Sequence, residues 1–354
     1  MRTCPKISLI IILILTVALI LKYYRTDPTD SSISIKENNI QTLEAKSNSI
    51  INQVEKAHYS PLSLEVISGV KKFVVFIGYF RSGHSIVGSL LDAHPNVVVA
   101  HELNVLRWLS RLDLQNSEVK ADLFNELYAN SFNNVFSDGK RSDNNKGYNL
   151  TIENSWQGRY RERIDVIGDK NGGGTSRMYR DNAKDFKLAY NRLHQFASIP
   201  IRFIHCVRNP FDVISTMVLY RIQSTRIQKD LVPISRKSRH VYKDVQQLSS
   251  AADLFFSLAD SVANISQSIT SGDRLLEIHN HELVSHPEDT VFKLCQFLNI
   301  DCPRDYLKLC AAKVFPKISR SRFTVDWPEE MKKIVQSRLE LYPFFKGYSF
   351  ESLM

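Results

Sequence analysis

Two arginines stand where an open α/β sheet would present them to an anion. The first lies in Gly78-Tyr79-Phe80-Arg81-Ser82-Gly83-His84-Ser85, between the apolar run Phe73–Ile77 and a stretch with helical apolar spacing, Ser85–Ala93. This is the spacing of a strand–loop–helix that cradles phosphate. Gly78 permits the sharp turn, Gly83 opens the helix, and successive N–H groups converge on an anion at the helix's positive end. His84 holds the place of the lysine that grips the phosphates in nucleotide triphosphatases. The cation appears instead inside the turn, as Arg81. Ser82, Gly83, His84 and Ser85 complete a candidate anion cradle, with Ser85 offering a hydroxyl in the first helical turn.

The second arginine follows the strand-like run Ile201–Val207, in Arg208-Asn209-Pro210-Phe211-Asp212-Val213. An arginine at the carboxyl end of a parallel strand points into the crevice where ligands of open α/β sheets sit. Ser215 and Thr216 place hydroxyls on the first turns of the next helix, within reach of the same oxyanion. Two separate cationic sites predict a ligand with two phosphate groups. Magnesium-dependent P-loops add a lysine and a metal-holding aspartate. Ile167-Gly168-Asp169 offers an aspartate, but Lys170 follows it directly and disfavours a cation, so no metal is expected. His279, His281 and His286 lack a convincing metal-ligand spacing.

Together these stretches resemble the sulfotransferases that use 3′-phosphoadenosine 5′-phosphosulfate (PAPS). In that family a strand–loop–helix binds the 5′-phosphosulfate, and Arg-Asn-Pro-x-Asp-Val-x-x-Ser binds the 3′-phosphate. "RSGHSIVGSLLDAHPNVVVAHE" is most similar to the Golgi tyrosylprotein and carbohydrate branches. The likeness continues through "VIGDKNGGG", "SRSRFTVDW" and Lys346-Gly347-Tyr348. It implies a three-layer, P-loop-like α/β fold around a central parallel sheet. The implied reaction is in-line transfer of a sulfuryl group from PAPS to a hydroxyl of a glycan or a protein tyrosine.

The resemblance also assigns roles. Arg81 matches an arginine used in catalysis and donor binding, and Glu102 matches the general base of the tyrosylprotein branch, with His101 a competing base. Lys170 matches a lysine near the transferred group, and Ser321 and Arg322 lie where the family supplies late donor contacts. His84 departs from the usual Thr or Ser, and either donates to the bridging oxygen when protonated or caps its helix. His279-Asn280-His281-Glu282 replaces the Arg-Tyr-Glu-Asp of many members, which puts a donor contact by that tyrosine in doubt. Two alternatives stay open: an ATP-dependent P-loop kinase, and an inactive nucleotide-binding protein of the same fold.

Positioning these residues requires a βαβ frame. Val97–Ala100 and Arg163–Ile167 read as further strands beside Phe73–Ile77 and Ile201–Val207, all apolar enough to be covered on both faces. Helical spacing marks 102–114, 118–130, 178–197, 211–227, 248–270, 287–298, 303–312 and 328–340. The 354 residues divide into a tail and signal-anchor helix over 1–25, a polar stem over 26–70, and a sulfotransferase domain over 71–354. The anchor rests on the apolar run Ile7–Leu21, flanked by Lys6 and Lys22, with Tyr23 and Tyr24 at the interface. No small-residue cleavage site follows it. The reading is a single-pass, type II Golgi membrane protein with a lumenal catalytic domain, and the sequons at Asn149 and Asn264 fit that location.

A formal net charge of +9 favours an anionic glycan or protein acceptor, and no nucleic-acid partner is expected. Arg221, Arg226, Lys229, Arg236, Lys237, Arg239 and Lys243 form a basic stretch suited to such an acceptor or simply to solvent. Of five cysteines, Cys302 and Cys310 are expected to pair across a turn, with Cys4 and Cys206 free. Oligomeric state is open, a homodimer included.

Overall fold

Five parallel strands form the central sheet in the order β2-β5-β1-β6-β7, numbered along the chain. The computed structural model describes residues 59–112, 119–137, 141–143, 148–224, 243–270 and 272–353. The expected anchor Ile7–Leu21, most of the stem, and the basic stretch as far as Arg239 lie outside the described residues or their side chains. Among the described residues, no helix is long and apolar enough to cross a membrane.

Strand β1 (Lys72–Ile77) is buried at every position but the first, as a strand covered on both faces must be. It pairs with β5 (Val166–Lys170) on one side and β6 (Ile201–Val207) on the other. Strand β2 (Val97–His101) lies outside β5, and β7 (Arg274–His279) lies outside β6. Residues 142–143 and 148–149 form a separate two-stranded ladder, β3 and β4.

Helices flank the sheet on both faces. After α1 (Leu64–Gly69), helix α2 (His84–Asp92) follows the glycine-bracketed loop, and α3 (Val105–Arg111) and α4 (Val119–Phe136) follow β2. Helices α5 (Gly172–Asp181) and α6 (Ala183–Ala197) connect β5 to β6; α7 (Pro210–Ser224) and α8 (Val245–Ser268) connect β6 to β7. Helices α9 (Asn280–Ser285), α10 (Pro287–Leu298), α11 (Arg304–Lys313) and α12 (Glu329–Leu339) complete the chain, with a 3₁₀ turn at Ser321–Thr324.

The β5 strand begins three residues later than the apolar pattern suggests. Arg163 is held outside the sheet, its Nε on Asp165, while Asp169 and Lys170 are drawn into the strand as buried polar residues. The span expected to form one helix over 178–197 is two, because Asn182 caps α6 by accepting from Lys184 N and Asp185 N. The cysteine pairing also differs. Cys295 at the end of α10 bonds to Cys302, across the turn into α11, and Cys310 is a free thiol buried in the core. Cys206 is free, as expected.

Register decides the site. Ile77 pairs with His205, and His101 with Lys170, so the carboxyl ends of β2, β5, β1 and β6 share one edge. The Arg81 loop, Glu102, Lys170 and Arg208 all leave the sheet there.

Candidate active site

The β1–α2 loop has the backbone that its glycines permit. Gly78 has φ +144° and Gly83 φ +96°, the latter being the N-cap of α2. Arg81 is also left-handed, at φ +67°. Ser176 of α5 takes up the Gly78 N–H at 2.9 Å, tying the start of the turn to the neighbouring helix. The ring of Phe80 fills the space that a side chain at Gly173 would need, since a Cβ there would fall 2.6 Å from it.

His84 is buried, with Nδ1 3.1 Å from Ser82 Oγ. Burial, reinforced by the Lys170 and Arg81 cations, pushes its pKa down to about 3. The imidazole is therefore held neutral near pH 7, which leaves one ring N–H to donate. Ser82 is consumed in orienting it.

Arg208 is the hub of the second cationic site. Its Nη1 donates to the Arg81 carbonyl at 3.1 Å and to Thr216 Oγ1 at 3.3 Å. Its Nη2 donates to the Ser319 carbonyl at 3.1 Å and to Ser321 Oγ at 3.3 Å. Thr216 and Ser321 are themselves 2.8 Å apart. Arg208, Thr216 and Ser321 thus converge beside the Arg81 loop, as the spacing suggests. Burial and the nearby Arg322 and Arg81 cations lower the Arg208 pKa, against Asp212, so an anion arriving here would relieve like-charge repulsion.

Ser215 and Arg322 point elsewhere. Ser215 is buried and accepts from Trp327 Nε1 at 2.9 Å; a helix turns about 100° per residue, so adjacent hydroxyls cannot share one target. Arg322 is also buried. Its backbone N–H and Nη1 donate to Asp212 at 2.9 and 2.6 Å, and Nη2 donates to the Ser352 carbonyl at 2.6 Å. From there it anchors the loop carrying Ser321. Asp212 is the partner that sequence reasoning passes over, although its place two residues after Pro210 marks it as a first-turn carboxylate of α7.

A third group forms at the other side of the loop. Lys170 is fully buried, and its Nζ donates to Glu102 Oε1 at 2.8 Å and Ser85 Oγ at 3.2 Å; His101 Nε2 lies 3.5 Å away. Burial lowers the Lys170 pKa and Glu102 opposes that shift. Glu102 keeps 53 % of its side chain exposed and has φ +59°. Asp169 fastens this segment by accepting from the N–H groups of Leu103, Asn104 and Val105 at 2.8–3.1 Å. Both of its oxygens are engaged, so it does not serve as the metal-holding aspartate of a P-loop. Burial pushes its pKa up to about 6.

Among the described residues, no group of three His, Cys, Asp or Glu is placed to hold a metal ion. His279 and His281 both turn their Nδ1 atoms to Tyr348 Oη, at 2.9 and 3.1 Å.

The site thus sits at the carboxyl edge of a parallel sheet in an α/β protein, where strand ends present two arginine centres and a lysine–carboxylate pair. The chain belongs to the sulfotransferase family, whose sequence profile matches residues 74–304. That span contains the Arg81 loop, Glu102, Lys170, Arg208 and Thr216. It stops short of Ser321.

Several solved sulfotransferase structures are similar to this chain. The sulfotransferase domain of the Synechococcus PCC 7002 olefin synthase is 14 % identical, covers 81 % of this chain and 97 % of its own, and has a TM-score of 0.42. Mouse sulfotransferase SULT7A1, solved with PAP, is 11 % identical over 80 % of this chain and 88 % of its own, with a TM-score of 0.40. Mycobacterium avium sulfotransferase STF9 is 10 % identical over 79 % of each chain, with a TM-score of 0.40. No curated protein matches the chain.

Proposed function

We propose that this protein transfers the sulfuryl group of PAPS to a hydroxyl of a glycan or of a protein tyrosine. The observation that carries the proposal is the bond from Arg208 Nη1 to the Arg81 carbonyl, which joins the two cationic centres into one site. A nucleotide with phosphates at both ends of its ribose matches that arrangement. The loop N–H groups and Arg81 take the 5′-phosphosulfate, and Arg208, Thr216 and Ser321 take the 3′-phosphate.

The chemistry follows from the remaining groups. Glu102 removes the proton as the acceptor oxygen attacks sulfur, and the bond from sulfur to the phosphate oxygen breaks on the opposite side. Charge grows on the departing phosphate, and Lys170, Ser85 and Arg81 are placed to stabilise it. No step asks for a metal. The kinase alternative loses support because His84 replaces the phosphate lysine and Asp169 is occupied as a backbone clamp.

The compartment belongs to the same proposal. A lumenal domain held to the Golgi membrane by the segment Ile7–Leu21 fits the exposed sequon residues Asn149 and Asn264 and the Cys295–Cys302 bridge.

Two measurements test the assignment. Calorimetry in EDTA should show tight binding of adenosine 3′,5′-bisphosphate, and labelled PAPS with a mixed panel of glycans and tyrosine peptides should reveal the acceptor. Binding of ATP that depends on magnesium, with none of the bisphosphate, would replace this reading with the kinase. Bisphosphate binding with no transfer to any pool would replace it with an inactive relative.

A further inference from the structure

Helix α7 carries Asp212, Thr216 and Tyr220 at four-residue spacing, so all three lie along one face. Each meets a different arginine. Asp212 binds Arg322, Thr216 binds Arg208, and the guanidinium carbon of Arg81 lies 3.4 Å from the centroid of the Tyr220 ring. The first two contacts build the Arg208 site. The third has no part in the roles described so far.

Among the described residues, no carboxylate pairs with Arg81. Its side chain is held by stacking on a ring that is 41 % exposed, and its carbonyl is held by Arg208. Stacking occupies the flat face of a guanidinium and leaves its in-plane N–H donors free. An arginine held this way is aimed, and among the described residues its guanidinium has no hydrogen-bond partner, as phosphate capture requires.

Resting on the PAPS reading, we propose that Tyr220 is a positioning residue that sets the plane of Arg81 at the 5′-phosphosulfate site. It also ties Arg81 to the helix that forms the 3′-phosphate site, so one rigid face reads both ends of the donor. The role needs the aromatic ring and not the hydroxyl.

The test titrates the full chain and its Tyr220→Leu and Tyr220→Phe variants with adenosine 3′,5′-bisphosphate and, separately, with adenosine 3′-monophosphate. Tyr220→Leu should weaken the bisphosphate about three- to tenfold, the range of a partly shielded cation–π contact, and leave the 3′-monophosphate unchanged. Tyr220→Phe should restore the wild-type value. Unchanged bisphosphate binding in Tyr220→Leu overturns the inference while leaving the donor assignment intact. Equal weakening of both nucleotides, or a Phe variant as weak as the Leu one, also overturns it. A wild-type protein that binds no bisphosphate removes the donor assignment itself, and this inference with it. Should Tyr220→Leu not fold, Tyr220→Gln gives the same comparison.

Discussion

Lys170 Nζ donates a 2.8 Å hydrogen bond to Glu102 Oε1, joining a wholly buried cation to a carboxylate that is half in solvent. The pair answers two needs. A buried ammonium requires a counter-charge, and the base role proposed for Glu102 requires a fixed direction. The left-handed backbone at Glu102 and the Asp169 clamp beyond it hold that direction.

Glu102→Gln separates the two roles. Glutamine keeps an oxygen for Lys170 but cannot take up a proton at neutral pH. Bisphosphate affinity should stay within about threefold, while kcat for the identified acceptor falls about 10²- to 10⁴-fold, the range of a lost general base. Normal turnover would move the base role to His101, which also faces Lys170.

Gly88 reaches the site through Lys170. A Cβ at Gly88 would lie 2.6 Å from Lys170 Cγ and 2.9 Å from its Cβ, and neither atom is a free side-chain end that could swing away. Gly88→Ala should therefore displace the ammonium from Glu102 and Ser85. The expected result is lower kcat with little change in bisphosphate affinity, and a loss of about 1–3 kcal/mol in urea unfolding, typical of overpacking. An alanine variant with wild-type turnover would show that the position of Lys170 does not matter to the reaction.

Local runs made most of the sheet legible. Strands β1 and β2 are apolar but for one terminal residue each, β6 is apolar but for Arg202 and His205, and the two arginine motifs are each contiguous, so the chain shows them without help from the fold. Other features depend on partners far away. The apolar pattern misplaces β5, because its last two residues, Asp169 and Lys170, are polar groups satisfied only after folding. It does not reveal β7, which has a single fully buried residue, Ile278. Helix α5 opens on three glycines, a composition that reads as loop until Phe80 and Asn171 are seen to occupy the space their side chains would fill. Ser215 and Arg322 look like ligand contacts in sequence, and only packing against Trp327 and Asp212 shows them facing inward. Tyr220 had one available signal, its position a helical turn beyond Thr216.

The cysteine arrangement gives a prediction that needs no activity assay. Non-reducing peptide mapping should recover Cys295 linked to Cys302, with Cys310 alkylated only after unfolding. Cys302→Ser should cost about 2–3 kcal/mol of stability, the loop-closure value for so short a ring. Cys310→Ser should leave the bridge intact. A Cys302–Cys310 peptide in the map would contradict the packing of α10 against α11.

His84 should make the protein sensitive to acid. Its ring is held neutral in the fold, with a pKa of about 3, whereas an unfolded histidine takes up a proton near pH 6.5. As pH falls below 6.5 the unfolded chain binds a proton that the native chain refuses. The stability associated with this residue is therefore present above pH 6.5 and is lost towards pH 3, at no more than about 1.4 kcal/mol per pH unit. His84→Asn supplies an uncharged oxygen near the position of Nδ1 for the Ser82 hydroxyl and removes the titration. His279 and His281 are also held below their ordinary pKa and contribute equally to both proteins. Subtracting the variant's urea midpoint from that of the wild type at pH 7.5, 6 and 5 isolates His84. The wild type should lose ground to the variant as the pH drops. Parallel midpoints would mean that the native loop admits the proton, and a charged imidazolium beside Arg81 would then have to be restored to the catalytic scheme.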